Sequence, residues 1–139
     1  MKFFIDNCLP PRWAPSLSAL ADPGQFEVAH LRTKFEQNTP DIEWIQRLST
    51  EGGWTIISGD VRITKSLHER EAWLSSGLTA FFLVKGWDFE FWEKTSRIVR
   101  WWPKILEQTQ MVKAGAGFFV PVNFKSGKFE QVPLSRKPR

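Results

Sequence analysis

The opening stretch Phe3-Phe4-Ile5-Asp6 places an acidic residue directly after an apolar run. A second apolar run, residues 54–59, ends at Asp60 in the same way. Short apolar runs of this kind predict buried strands. Open α/β sheets bind their ligands in the crevice at the carboxyl ends of such strands. The two aspartates therefore predict a shared acidic crevice at one edge of a sheet.

The composition fits one globular domain. The chain has 139 residues, of which 42% are hydrophobic, including 12 Phe and 8 Trp. This apolar content is sufficient for a core of its own. We expect a single domain over residues 1–139, in which residues 88–139 add a C-terminal helix and hairpin to the rest.

Charge and targeting signals point to the cytoplasm. No apolar stretch approaches the ~20 residues that span a bilayer, so no membrane partner is expected. Asp6 introduces charge too early for a signal peptide. The single cysteine, Cys8, cannot form an internal disulfide. The formal net charge of +4, part of which lies in the tail of residues 136–139, would suit RNA as a partner, and it would equally serve solubility.

Predicted strands and helices alternate along the first part of the chain. The predicted strands cover residues 2–5, 26–31, 54–58 and 78–84, and the predicted helices between them cover residues 10–21, 39–52 and 63–75. This alternation predicts an α/β three-layer sandwich, in which helices cover both faces of a mainly parallel sheet.

A long helix is predicted from Asp88 to about Gln110, and Pro103 predicts a kink or break within it near Trp102. The tryptophans divide into two groups by position. Those at apolar helical positions are expected in the core, namely Trp44, Trp73, Trp92 and Trp102. Trp87 and Trp101 are instead candidates for a partner surface.

The last part of the chain has the pattern of a β-hairpin. Residues 118–124 and 128–132 flank the turn sequence Lys125-Ser126-Gly127. Pro121 predicts that the first arm is an edge strand or a bulged strand. The aromatic residues of this half exceed what a small sheet needs, which predicts a surface for a protein partner or a homodimer.

A third acid joins the two at the strand ends. Asp41 lies in the first turn of the helix that precedes the strand of Asp60. Neighbouring parallel strands are ~4.8 Å apart, so these carboxylates can converge on one divalent cation such as Mg²⁺ or Mn²⁺. Each acid also has a structural interpretation: Asp41 stabilises a helix dipole, Asp60 forms a turn, and Asp6 caps a helix.

Three motifs resemble those of the PIN-like nuclease domains. Residues 4–10 resemble the first strand with its metal-binding Asp, residues 40–45 the second acidic motif, and residues 54–60 the third. The resemblance covers about residues 1–90. It implies a Mg²⁺- or Mn²⁺-dependent ribonuclease, often the toxin of a bacterial toxin–antitoxin pair with a cognate antitoxin. Carried over by position, it implies Asp6, Asp41 and Asp60 as the catalytic, metal-binding acids.

The chain departs from the family pattern after the third acid. Relatives often have a second Asp followed by Phe where this chain has Arg62 and Ile63, and an Arg or Lys where it has Gly59. Glu43 is a candidate to replace the fourth metal ligand. Arg62 and Asn7 are candidates to bind substrate. The alternative function is a catalytically degenerate PIN-like module that binds RNA or a protein partner.

Two other kinds of chemistry are weaker interpretations. Cys8 lies near a predicted helix start, but the sequence places neither His30 nor His68 beside it, so we expect a small buried residue and not a nucleophile. A phospho-acceptor receiver domain also gathers acids at strand ends. Such a domain has paired acids after its first strand and a Lys after its fifth, whereas here Lys85 follows the fourth predicted strand.

Overall fold

The central element is a mixed sheet, seen in a computed structural model that describes residues 1–113 and 115–133. Within these residues the sheet has six strands in the order β2-β1-β3-β4-β5-β6. They are β1 (Lys2–Ile5), β2 (Glu27–His30), β3 (Trp54–Ser58), β4 (Thr79–Leu83), β5 (Gly117–Val120) and β6 (Glu130–Gln131). Neighbouring strands pair in parallel except β6, which is antiparallel to β5. The basic tail at residues 136–139 lies outside the described residues.

Helices cover both faces of this sheet. They are α1 (Trp13–Ser18), α2 (Leu31–Lys34), α3 (Asp41–Glu51), α4 (Leu67–Ser76) and α5 (Phe91–Met111), with a 3-10 turn at Val61–Thr64. The predicted α/β three-layer sandwich with a mainly parallel sheet is confirmed. In the described part of the chain, no helix is long and apolar enough to cross a membrane.

The sheet separates two apolar cores because successive side chains of a strand point to opposite faces. One core contains Phe3, Ile5, Trp13, Leu17, Ile98 and Trp102. The other contains Phe4, Trp44, Ile45, Leu48, Ile56 and Trp73. Strands that are buried on both faces consist mostly of apolar residues. This composition explains why β1, β3 and β4 were recognisable as apolar runs in the sequence.

Of the kink or break predicted near Trp102, the break is wrong, because α5 runs through Pro103 as one helix. Pro103 removes the N–H that would pair with the carbonyl of Val99. Both residues are exposed, so water can hydrate the unpaired carbonyl. A proline on the solvent side of a helix therefore costs less than the sequence alone suggested.

Three tryptophans lie opposite to their predicted places. Trp87 and Trp101, the candidates for a partner surface, are only 3% and 1% exposed. The ring of Trp101 packs against Phe124 and Phe129, because the chain after β5 folds back over α5. Trp92, predicted in the core, is 75% exposed; nothing in the structure explains this.

The C-terminal hairpin is present, but its first arm is not an edge strand. The turn at Lys125-Ser126-Gly127 is confirmed: the Gly127 N–H donates to the Phe124 carbonyl at 2.6 Å, and Gly127 has φ +64°. β5 lies between β4 and β6, so β6 forms the edge. β5 ends at Val120, so Pro121, which lacks an N–H, lies just outside the hydrogen-bonded ladder.

Candidate active site

The candidate site lies where the strand order reverses. From β1 the chain passes to β2 on one side, whereas β3 lies on the other side of β1. Open α/β sheets bind ligands in the crevice at such a switch point, outside the carboxyl ends of the strands. The Asp6 N–H donates to the Ile57 carbonyl at 3.2 Å, which fixes Asp6 directly against the end of β3.

Asp6 is a buried carboxylate without a cationic partner among the described residues. It is 3% exposed, and Oδ1 accepts the Cys8 N–H at 3.1 Å. The Ser58 hydroxyl donates to Oδ2. Burial raises the pKa of Asp6 to about 6 against these two lowering hydrogen bonds, and the charge of Asp41 adds a smaller increase. A cation in the crevice would relieve this unfavourable burial of charge.

Ser58 connects the first and third acids and was missed by the sequence reasoning. Its hydroxyl donates to Asp6 and accepts the Asp60 N–H at 2.9 Å. Ser58 is the last residue of β3 and fully buried. A hydroxyl at the end of an otherwise apolar strand, two residues before an acid, was the signal available in the sequence.

Asp60 is bound on both carboxylate oxygens by Arg62. The Arg62 Nε and backbone N–H donate to Oδ1 at 2.8 and 2.9 Å, and Nη2 donates to Oδ2 at 2.7 Å. The side-chain hydrogen bonds from Arg62 are the largest cause of a lowered Asp60 pKa. Asp60 is thus a capping residue of the 3-10 turn as well as a strand-end acid.

Asp41 is half-buried at the first position of α3, where Oδ1 accepts the Trp44 Nε1–H at 3.1 Å. Burial is the largest cause of its raised pKa, and the charges of Asp60 and Glu69 raise it further. Glu43, the candidate for the fourth metal ligand, is exposed. The structure therefore brings Glu69 of α4, which the sequence reasoning missed, towards Asp41 in addition to the predicted acids.

Asn7 connects the loop after β1 to the segment after β2. Its Oδ1 accepts the Arg32 Nε–H at 3.0 Å, and its Nδ2 lies 3.5 Å from the Gln37 carbonyl. His30 also binds this loop: Nε2 lies 2.8 Å from the Leu9 carbonyl, and Nδ1 accepts the Arg32 N–H. Burial lowers the pKa of His30, so the neutral ring holds the loop beside Asp6.

Cys8 is exposed, so the prediction of a buried residue is wrong. Desolvation of the thiol and the charges of Asp6, Asp60 and Asp41 raise its pKa to about 12. A thiol that stays protonated at neutral pH is a poor nucleophile. The expectation that Cys8 has no nucleophilic role is consistent with this environment. The same charges show that Cys8 lies within electrostatic reach of all three acids.

The donors at this edge suit a hard divalent cation, although they are not gathered into one ligand cage. In the part of the chain that the structure describes, no group of three or more His, Cys, Asp or Glu side chains is placed to hold a metal. Mg²⁺ usually keeps several waters and needs only one or two carboxylates. Asp6 and Asp41, which form no salt bridge with a described residue, fit that requirement. Both oxygens of Asp60 are bound by Arg62, so Asp60 is not free to bind a cation in this arrangement.

The comparisons with known proteins agree with the fold. The family model described as a PIN like domain matches residues 1–85. The chain belongs to this family, whose members are generally nucleases and typically use divalent metal ions. No curated protein and no solved structure matches the chain. The resemblance inferred from the three acidic motifs is confirmed at the level of the family.

Proposed function

We propose that this protein is a Mg²⁺- or Mn²⁺-dependent ribonuclease that hydrolyses RNA phosphodiester bonds. The observation that carries the proposal is Asp6, a buried carboxylate without a salt bridge in the described structure, at the switch point of a PIN-like sheet. Burying an uncompensated charge is costly, and such a cost is typical of functional sites. The net charge of +4 supports a polyanionic substrate.

Each acid has a role in this proposal. Asp6 and Asp41 would hold the cation, and Asp60 would serve as a further ligand if Arg62 released it. A bound divalent cation lowers the pKa of a water ligand and neutralises charge on the attacked phosphodiester. Ser58 keeps the Asp6 carboxylate in one orientation through its hydroxyl. Arg62 and Asn7 flank the crevice as the candidate substrate-binding residues.

The test is RNA cleavage by the purified protein with Mn²⁺ or Mg²⁺ and with excess EDTA. We expect that Asp6→Asn lowers cleavage at least about a hundredfold, the upper range seen for residues that only support a metal ligand. Asp22→Asn, in an exposed loop, is the matched control for the lost charge. Equal cleavage in EDTA, or full cleavage by Asp6→Asn, would refute a metal-dependent mechanism.

A catalytically degenerate PIN-like module is the second candidate function. The specific observation in its favour is the Arg62 guanidinium, which neutralises Asp60 where relatives often carry a further acid. Calorimetric titration with Mn²⁺ separates the two candidates. Saturable binding that is abolished by Asp60→Ala supports the nuclease, whereas no binding supports the module that binds RNA or a protein partner.

The biological role is proposed from family membership alone. We place the protein in the cytoplasm as the toxin of a toxin–antitoxin pair, with a cognate antitoxin as partner and a homodimer as a second form of association. A short reading frame next to the gene would support the pair. Elution as a monomer, without a shift when the neighbouring product is added, would count against both forms of association.

A further inference from the structure

A small cleft opens beside the acids at the same edge of the sheet. Its volume is about 230 Å³. The loops after β1, β3 and β4 and the first turns of α5 form its walls. Its lining includes Cys8, Gly59, Lys85, Asp88 and Lys94.

The cleft lies beside the candidate active site, because Cys8 and Gly59, which line it, belong to the segments that carry Asp6 and Asp60. Cys8 is two residues from Asp6, and its backbone N–H donates to Asp6 Oδ1 at 3.1 Å. Gly59 directly precedes Asp60. A Cβ on Gly59 would lie 3.0 Å from Leu9 Cδ2, so the loop after β1 packs closely on this glycine. The contact fixes the wall that the cleft shares with the acids.

Two lysines also line the cleft. Lys85 is exposed just after β4, and Lys94 is half-buried in α5. Neither lysine forms an ion pair with a described residue. Asp88, which is exposed, is the acid on this side of the cleft. The cleft is thus lined by two lysines that form no ion pair with a described residue, together with residues next in sequence to the acids.

The size of the cleft favours part of a polymer. Pockets for small molecules are typically ~300–1,000 Å³, larger than this cleft. A single extended strand needs room only for one sugar-phosphate unit at a time, and lysines bind phosphates as point charges. Grooves with such cations along the backbone are typical of single-stranded nucleic acid sites.

We propose that this cleft binds the sugar-phosphate backbone of single-stranded RNA next to the bond at the acids, with Lys85 and Lys94 contacting neighbouring phosphates. The identity of the ligand rests on the proposed function, whereas the site rests on the cleft and its lysines. An acidic segment of a protein partner is the competing occupant, and it is an outcome of the test.

The test is the binding of a fluorescent single-stranded RNA at several NaCl concentrations, in EDTA so that no cleavage occurs. Each phosphate contact on a single strand contributes about 0.7 to the slope of log affinity against log salt. The double variant Lys85→Ala/Lys94→Ala should therefore make this negative slope shallower by about 1.4, which is roughly a 25-fold loss of affinity at 0.1 M salt. Lys85→Arg/Lys94→Arg should keep most of the binding.

The matched control is Lys125→Ala/Lys128→Ala, which removes the same charge from exposed positions in the hairpin. An equal loss in this control, or an unchanged slope in the cleft variant, would overturn the proposal. Displacement of the RNA by an acidic peptide of the same net negative charge would also overturn the proposal. Thermal melting shows whether each variant is folded.

The same proteins separate this proposal from the proposed function. If the wild type cleaves RNA with Mn²⁺ and the cleft variant has the same KM, the cleft proposal fails while the nuclease stands. If the wild type binds RNA through Lys85 and Lys94 but shows no metal-dependent cleavage, the nuclease fails while the cleft stands.

Discussion

Replacing Asp6 by Asn should stabilise the metal-free protein at neutral and alkaline pH. Asp6 has a pKa of about 6 in the folded protein against an ordinary value of 3.8. The folded state therefore binds this proton more tightly than the unfolded state. Stability contributed by Asp6 is highest below about pH 4 and falls as the pH rises to about 6. Above that range the full cost of the buried charge is present.

The magnitude follows from the two pKa values. One pKa unit corresponds to about 1.4 kcal/mol, so the step from 3.8 to about 6 corresponds to a cost of about 3 kcal/mol at pH 8. Asn removes the charge and keeps an acceptor for the Cys8 N–H. Its amide has to rearrange the hydrogen bond from Ser58, which costs about 1 kcal/mol. The expected net gain is about 2 kcal/mol.

The assay is urea unfolding of the wild type and Asp6→Asn from pH 4 to pH 8 in EDTA. The difference in unfolding free energy should grow from near zero at pH 4 to its full value at pH 8. His30, whose lowered pKa makes the fold lose stability below pH 6.5, affects both proteins equally and cancels in the difference. Asp22→Asn should show no such rise. A destabilised Asp6→Asn at pH 8, or a difference independent of pH, would refute this reasoning.

Three further predictions concern Arg62, Gly117 and Cys8. Arg62→Ala should tighten Mn²⁺ binding several-fold in calorimetry because Asp60 loses its competing partner, and unchanged or weaker binding would contradict the competition. Gly117→Ala should destabilise the fold by about 1–3 kcal/mol in urea unfolding, because the new Cβ would lie 2.4 Å from the Trp73 ring. The double variant Gly117→Ala/Trp73→Phe should recover part of this loss, because phenylalanine has a smaller ring. The Cys8 thiol, with its pKa near 12 against 9.0, should react with iodoacetamide at pH 8 roughly 30- to 60-fold more slowly than an unperturbed thiol, because the thiolate fraction falls about a thousandfold while the higher pKa makes each thiolate more nucleophilic. Ordinary reactivity would disprove the raised pKa.

Local patterns predicted the sheet well because burial leaves a direct trace in the sequence. β1, β3 and β4 are buried on both faces and therefore consist mostly of apolar residues, with buried hydroxyls at a few positions. The Lys125-Ser126-Gly127 turn was recognisable because it contains glycine, the residue type that most easily adopts the positive φ found at Gly127. Sequence patterns did not predict which tryptophans are buried, because a tryptophan can be buried by segments that are distant in the sequence. Trp101 is buried by the hairpin, a contact that no local periodicity records.

The sequence by itself determined the α/β class, the position of Asp6 and Asp60 after buried strands, and the family to which the chain belongs. Only the tertiary structure decided which side chains bind the carboxylates of these acids. Arg62 binds both oxygens of Asp60, and Ser58 connects Asp60 to Asp6. Only the fold brings Lys94 of α5 to the cleft beside the acids. Strand-end positions follow from local burial, whereas partners and pKa values depend on groups that meet in space from distant parts of the chain.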